Sequence, residues 1–556
     1  MTYQPDETQQ AVIDAQDPVL LVCGGAGTGK TTTAAAAVRT HLQRVDDLRV
    51  VAGFQPRARQ SVARALFLSF SRSSVAQILD RTAGVLGPYQ GRVEITTFHA
   101  FAWRLLTRWG AAVGLAQPAM LSATEAKLFD VADALLYRDL LPRALELCEV
   151  PAVGRHLQAR WSIIVCDEFQ DTDDRQYELL TRIRRDARLL LLGDPHQCIY
   201  SDLPDAVGVG PERLDTVLTL PGARRIDLPD VSHRDPSNIL PAAATAIRRR
   251  QFGHPAVAAA LDTGRLHIRA GLPTEQEAEI VADVVQKLRA DGHTVGVFSH
   301  HVDATTGLSD ELTQLDITHE VIGLPECLGA GLDAQHAMIQ FAGGAVSWTS
   351  VLQRLAVFVT SAVRGKQVPE LARMLLGQTP QPAAVNGRLR ELQQALLGAV
   401  PVEATATAAA AHDRLGLHRG VRHWRNAAQL LQPQVARHVR RHRDPSDVLE
   451  ALDTAITAYR TDLLTSATGE PDAPVQLMGL YQTKGREADA TVVVLRSNDF
   501  YGPERREPFE TGSRLLYVVL TRARHKTTVL LFGDAPQALV APLAALTSDN
   551  ERGTVR

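Results

Sequence analysis

Short apolar runs recur along the first two hundred residues, each closed by glycines or polar side chains. The first, Val19-Leu20-Leu21-Val22-Cys23, passes directly into Gly24-Gly25-Ala26-Gly27-Thr28-Gly29-Lys30-Thr31 and then into a helix-prone stretch over 32–42. Residues 66–70 predict a strand that closes on a Ser-rich turn, with a helix from Val75. Residues 93–99 predict another, ending in Phe98 and His99, and 101–157 read as helical. Ile163-Ile164-Val165-Cys166 and Leu189-Leu190-Leu191-Leu192 are continuous apolar runs, the pattern of strands buried on both faces. Farther on, Val295-Gly296-Val297-Phe298 predicts a strand. Residues 323–470 then read as a helical insertion, with a linker-like Ala/Pro-rich stretch over 379–412. Strands alternating with helices predict an α/β fold with parallel sheets.

The polar strings at the strand ends carry the chemistry. Strand, glycine-rich turn and helix is the setting in which G-x-x-x-x-G-K-[ST] becomes a phosphate cradle. Backbone N–H groups of Gly24, Gly25, Ala26, Gly27, Thr28, Gly29, Lys30, Thr31 and Thr32 can surround an anion at the positive end of the new helix. Lys30 reaches for the β- and γ-phosphates, and the Thr31 hydroxyl suits Mg²⁺. Asp167-Glu168 at the next strand end divides the remaining work. Asp167 serves the metal, and Glu168 polarises the water that attacks the γ-phosphate. Gln197, after the 189–192 run, is placed to sense that phosphate. Gln9, in a short helical pattern ahead of the cradle, has an amide able to meet an adenine edge.

Composition narrows the class without choosing a partner. The 556 residues suffice for three or four cores, and 45% hydrophobic with 22% charged residues is ordinary for a globular protein. No apolar run approaches the roughly 20 residues of a membrane span, so no membrane association is expected. The five cysteines are scattered without a C-x-x-C pair, which fits buried apolar roles and a reducing, cytoplasmic compartment. A net charge of −3 neither demands nor excludes nucleic acid.

Taken in order, the GGAGTGKT, DEFQDTD and GDPHQCIY strings resemble the UvrD/Rep/PcrA family of superfamily 1 DNA helicases. The likeness continues through Ser232-His233-Arg234, through Thr483-Lys484-Gly485-Arg486-Glu487 and through Leu520-Thr521-Arg522-Ala523-Arg524. It implies two RecA-like P-loop domains, each interrupted by a helical insertion. The first domain spans 1–105 and 158–262, with a reduced helical subdomain at 106–157. The second spans 263–325 and 471–556, with the larger insertion at 326–470. It further implies ATP and Mg²⁺ between the domains, with Gln9 reading adenine, Arg234 and Arg522 as arginine fingers, Gln197 as γ-phosphate sensor and Glu487 on the ribose. Phe70, Thr97, His99, Tyr200 and Tyr481 fall at or near positions that line the single-strand path.

Three positions depart from the family pattern. His233 replaces the tyrosine that stacks on adenine, and Tyr481 replaces a histidine. Asp202 stands where the family places a Trp to stack on a DNA base. Two functions follow. One is an ATP-dependent translocase or 3′→5′ helicase acting on single-stranded or tailed duplex DNA. The other is a DNA-dependent ATPase switch or loading subunit for a protein partner, such as a nuclease or a repair or defence factor. Residues 414–443 hold eight Arg, four His and no acidic side chain, a candidate surface for phosphates or for that partner.

Overall fold

In the computed structural model, residues 3–51, 62–129, 134–202, 206–300, 302–322, 325–363, 367–442, 444–465 and 473–546 are described. Twelve of their strands form two six-stranded sheets in which every pairing is parallel. The first has the order Val93–Thr97, Ala65–Ser69, Ile163–Cys166, Arg188–Gly193, Val19–Cys23, Ala223–Asp227. Its inner strands are buried along their whole length, which is why the sequence shows unbroken apolar runs there instead of alternation. The second has the order Glu320–Val321, Val475–Gly479, Val295–Ser299, Ala488–Arg496, Ala523–Phe532, Leu266–Leu272.

Several local expectations change. The helix after the glycine loop, Lys30–Val51, runs past residue 42, because no Gly or Pro interrupts it there. The next helix, Arg72–Leu86, begins three residues before Val75. Ser71 accepts from the Ser74 amide at 3.1 Å and so fixes its start. Phe98 and His99 are not strand residues. Thr97 caps the Ala100 amide at 3.1 Å, and the chain turns directly into helix Phe98–Trp109. Residues 101–157 are not helical throughout either. Gly114, in the left-handed region at φ 80°, closes a turn, and Ala119–Leu121 pairs in parallel with Ala134–Leu136 before helices Leu140–Glu149 and Pro151–Gln158. The apolar face of Phe98, Phe101, Leu105 and Leu106 shares one core with Leu140, Leu147, Leu21, Leu66 and Leu191, so this segment packs on the first sheet.

The chain leaves the second sheet after Glu320–Val321 and re-enters it at Val475–Gly479, its hydrogen-bonded neighbour. The helices between these strands have a core of their own around Phe358, Trp424, Leu355, Leu431 and Leu452. Most of the stretch 379–412 is helical in this core: Ala383–Leu396 and Pro401–Ala409 bury Leu389, Leu392, Leu396, Ala404 and Ala408. Pro401 opens its helix at a position where a missing N–H costs nothing. Helices Ile239–Arg248 and Pro255–Asp262 share their core with Leu266, Ile268, Leu515 and Leu516 from the second sheet and its helix. Among the described residues no helix is long and apolar enough to cross a membrane.

Candidate active site

A cavity of about 400 Å³ opens between the sheets. Ala26 to Thr32, Asp167, Glu168, Gln197, His233 and Arg234 line it from one side, and Glu487, Arg522 and Arg524 from the other. The glycine loop is pressed against residues 232–234. His233 N donates to the Gly27 carbonyl at 2.8 Å, and Gly27 has φ +81°. A Cβ at Gly27 would lie 2.4 Å from Ser232 Oγ, so only glycine fits. Lys30 Nζ donates to the carbonyls of Gly24 at 2.6 Å and Gly25 at 3.0 Å.

Thr31 Oγ1 donates to Asp167 Oδ2 at 3.3 Å. Burial and the adjacent Glu168 push the Asp167 carboxyl up to about 6. Glu168 sits in the left-handed region at φ 55°, uncommon for a non-glycine residue and found where a site demands it. Burial opposes its charge, yet the Lys484 and Lys30 ammonium groups and a 2.7 Å bond from Gln170 Nε2 hold it below the usual range.

The second sheet supplies the remaining charges. Arg522 is buried, and its Nη2 donates to Gln197 Oε1 at 3.1 Å. Burial and neighbouring Arg234 lower it to about 9. Gln197 Nε2 in turn donates to Asp194 Oδ2 at 2.8 Å. Arg234 pairs through Nε with Glu487 Oε2 at 2.5 Å and donates to the Thr521 carbonyl at 2.7 Å. Glu487 also receives Arg81 and, at 3.1 Å, Arg524. Burial works against this carboxylate, and the guanidinium groups of Arg234, Arg81 and Arg524 still drive it well below the ordinary range. Gln9, 2% exposed, is saturated within the protein. Its Oε1 accepts from the Asp6 amide and the Tyr3 hydroxyl, while Nε2 donates to the Thr28 carbonyl at 3.2 Å and lies 3.4 Å from His233 Nε2.

Lys484, to which the motif string assigns no role, joins the cleft to the aromatic rings beside it. Its ammonium is 2% exposed and pairs with Asp171, approaches Glu168 Oε2 at 3.4 Å and donates to the Gln197 carbonyl at 2.8 Å. Burial would lower this amine; Asp171 and Glu168 raise it instead. The same ammonium lies 5.7 Å over the Tyr200 ring. Arg81 carried no sequence signal, and Gln170 and Asp171 were visible only as letters of the acidic string.

Phe70, Tyr200 and Tyr481 come together. Phe70 stacks on Tyr200 with centroids 4.6 Å apart, and Tyr200 donates from its hydroxyl to the Tyr481 carbonyl at 2.6 Å. The Tyr481 hydroxyl donates to Glu504, which also meets His300 Nε2 at 3.1 Å; His301 lies outside the described residues. Thr97 is turned inward as a helix cap. His99 stacks on Tyr137 at 4.0 Å, and burial lowers it to about 4. Asp202 accepts from the Thr511 hydroxyl at 2.5 Å. Of the basic run, helix Val421–Arg441 buries His423, Trp424, Ala427, Leu431 and Val435 and leaves Arg425, Arg437, Arg440 and Arg441 outward. Arg443 lies outside the described residues.

The acceptor set suits a small hard cation. Thr31 Oγ1 and Asp167 present one hydroxyl and one carboxylate, the sparse protein contribution typical of Mg²⁺ sites completed by phosphates. Among the described residues no group of three His, Cys, Asp or Glu could hold a metal by itself.

A family model described as an AAA domain matches residues 8–202. The chain is 25% identical over 305 residues to DNA helicase II of Escherichia coli (strain K12), covering 44% of this chain and 40% of that one. It is 23% identical over 399 residues to ATP-dependent DNA helicase UvrD1 of Mycobacterium bovis (strain ATCC BAA-935 / AF2122/97), covering 57% and 49%. Over 68 residues it is 47% identical to RecBCD enzyme subunit RecB of Mycobacterium tuberculosis (strain CDC 1551 / Oshkosh), covering 12% and 6%. The matched stretches span less than half the length of each of these relatives.

Proposed function

We propose that this chain, UvrD-like and of the superfamily 1 type, is an ATP-driven translocase on single-stranded DNA that unwinds duplex in the 3′→5′ sense. The carrying observation is the two-sided cleft. Lys30, Asp167 and Glu168 belong to one sheet and Arg522 and Glu487 to the other, so bound nucleotide changes how the two bodies fit.

Entering phosphates replace the Gly24 and Gly25 carbonyls on Lys30. Arg234 exchanges Glu487 for the γ-phosphate, and Arg522 reaches it past Gln197. Both planar guanidinium groups then neutralise charge that develops on the transferred phosphoryl group. Glu168 orients the attacking water, and its bond from Gln170 and its Lys484 contact hold the carboxylate in position. Thr31 and Asp167 would hold Mg²⁺, which would supply charge neutralisation to the bound phosphates. Lys484 lies against both Glu168 and Tyr200, so a change at the water-activating carboxylate is felt beside the aromatic rings. DNA and ATP meet in the cytoplasm, where this reading places the protein.

A 3′-tailed duplex with labelled strands tests the proposal: displacement that requires ATP and stops in Glu168→Gln is expected, and a 5′-tailed substrate should remain intact. The second reading, an ATPase switch within a larger assembly, is favoured by Asp202, which Thr511 holds at the family's stacking position. DNA-stimulated ATPase without displacement, restored by a nuclease partner, would select it.

A further inference from the structure

The nucleotide bases differ in where their edges donate and accept hydrogen bonds, so a cleft that selects adenine must aim a donor and an acceptor at that edge. Gln9 is the side chain the family pattern offers for this, and its amide is committed elsewhere. Oε1 accepts from the Asp6 amide at 3.1 Å, which closes the capping box of helix Glu7–Asp14, and from the Tyr3 hydroxyl at 3.3 Å. Nε2 donates to the Thr28 carbonyl at 3.2 Å and lies 3.4 Å from His233 Nε2. A primary amide has two hydrogens and two principal acceptor directions, and here each has a protein neighbour.

The amide is also walled off. Gly29 lies directly against it, so that a Cβ there would come 3.0 Å from Gln9 Nε2. Gln9 is 2% exposed, and the cavity wall in front of it is made by Gly29 and His233. A site that hydrogen-bonds one substrate rejects another because its own polar groups are then left unpaired. With Gln9 already paired, a different base leaves nothing unsatisfied. What the wall presents instead is cationic: Lys30, Arg81, Arg234, Arg522 and Arg524 face a triphosphate, which every nucleotide brings. Where the family pattern stacks a tyrosine on adenine, His233 stands exposed on the wall. A ring stacks on any base, since every base has a π-face.

We infer that this cleft selects nucleotides by their triphosphate and not by their base, so that GTP, CTP and UTP serve as ATP does. His233 stacks on whichever base enters. The inference rests on the nucleotide-driven motor reading and widens its substrate class from ATP to nucleoside triphosphates in general.

The test is hydrolysis by the full chain, with oligothymidine and Mg²⁺, of each of the four ribonucleotides in turn. The kcat/KM values should agree within about five-fold, the lower end of the roughly 5- to 150-fold by which a bidentate amide chooses a base. Gln9→Ala should lower Tm, because Asp6 loses its capping partner, and should change kcat/KM for all four nucleotides by one common factor. His233→Ala should raise KM about 5- to 100-fold for all four, as expected for loss of one stack. A larger wild-type preference for ATP overturns the inference and needs no variant to be seen. So does a Gln9→Ala loss that falls on ATP alone, because the amide would then turn to meet adenine. A His233→Ala loss confined to ATP overturns it as well, because the imidazole would be reading an edge. Wild-type protein that hydrolyses none of the four would remove the motor reading itself, an outcome distinct from hydrolysis of ATP alone.

Discussion

The cleft and the aromatic edge both form at strand ends, yet they are built from opposite materials. The cleft is ionic: Glu487 alone gathers Arg234, Arg81 and Arg524. The edge is aromatic and largely uncharged, with Phe70 on Tyr200 and Tyr137 on His99. Charges in a desolvated cleft tolerate no substitution, because every partner left alone pays its full desolvation cost. Stacked rings tolerate exchange, since any ring of similar size can take a base. The charged groups follow that division; the rings do not. Against the pattern that the sequence resembles, Lys30, Asp167, Glu168, Arg234 and Arg522 keep the expected residue types, whereas His233 inside the cleft and Asp202 and Tyr481 at the edge depart from it.

The sharpest way to break this contrast is to remove a cleft charge. Arg234→Ala and Arg522→Ala should each lower DNA-stimulated ATP hydrolysis by about 10³–10⁵, the usual worth of an arginine finger. Glu168→Gln should bind nucleotide and hardly turn it over. A near-wild-type rate in either arginine variant would show that the cleft is as forgiving as the edge.

Next in size is the link between the two regions. Lys484→Met leaves Asp171 buried with no cation, and breaking a buried pair from one side costs about 3–5 kcal/mol. Thermal unfolding should therefore shift down, and Asp171→Asn in the same chain should recover most of the shift. Recovery is the informative part. Without it, Lys484 would be acting through Glu168 or Tyr200, not through charge balance.

These differences also explain what could be read from the chain alone. Apolar runs such as 189–192 have only one place to go, the middle of a parallel sheet, so the α/β architecture was visible before any contact was known. Lys30, Thr31, Asp167 and Glu168 belong to contiguous strings whose spacing carries their geometry. Arg81 could not be found that way. It meets Glu487 only because helix Arg72–Leu86 faces the second sheet. Tyr137 was hidden for the same reason, on a turn in a segment whose periodicity suggested continuous helix. The 379–412 stretch misled through its prolines, which start helices here. Gln9 shows a subtler limit: its position was legible, but the bonds from Asp6, Tyr3 and Thr28 that occupy its amide were not.

At the edge, His99 gives a pH test. Its folded-state value of about 4 lies below the roughly 6.5 of an unfolded histidine. The unfolded chain therefore takes up this proton first as pH falls. The contribution is complete above about 6.5, declines through the interval and is gone below 4. Between pH 7 and pH 5 this site should cost about 2 kcal/mol of stability. His41, also lowered to about 4 by burial, adds a similar slope, so the measurement must be a difference. The urea midpoint should fall less between pH 7 and pH 5 in His99→Gln than in the wild type. Equal falls would mean that His99 is solvated and that its stack on Tyr137 is loose.

The smallest expected effect concerns Asp202, and it sharpens the comparison most directly, because it asks whether the edge accepts a new ring. A base–aromatic stack is worth about 1–3 kcal/mol. Asp202→Trp should realise only the lower end, since the substitution gives up the 2.5 Å bond from Thr511 and leaves that hydroxyl to find water. Removing the carboxylate also removes repulsion toward a phosphate backbone, a contribution that salt screens. The variant should therefore bind oligothymidine about five-fold more tightly at low salt, with a smaller gain at high salt. Its preference over an abasic strand should rise by a factor that salt leaves unchanged. A gain that salt abolishes on both strands would mean that only the charge mattered and that no base reaches this position. Weaker binding would mean that the Asp202–Thr511 contact shapes the path and that the strand is held without a ring at this position.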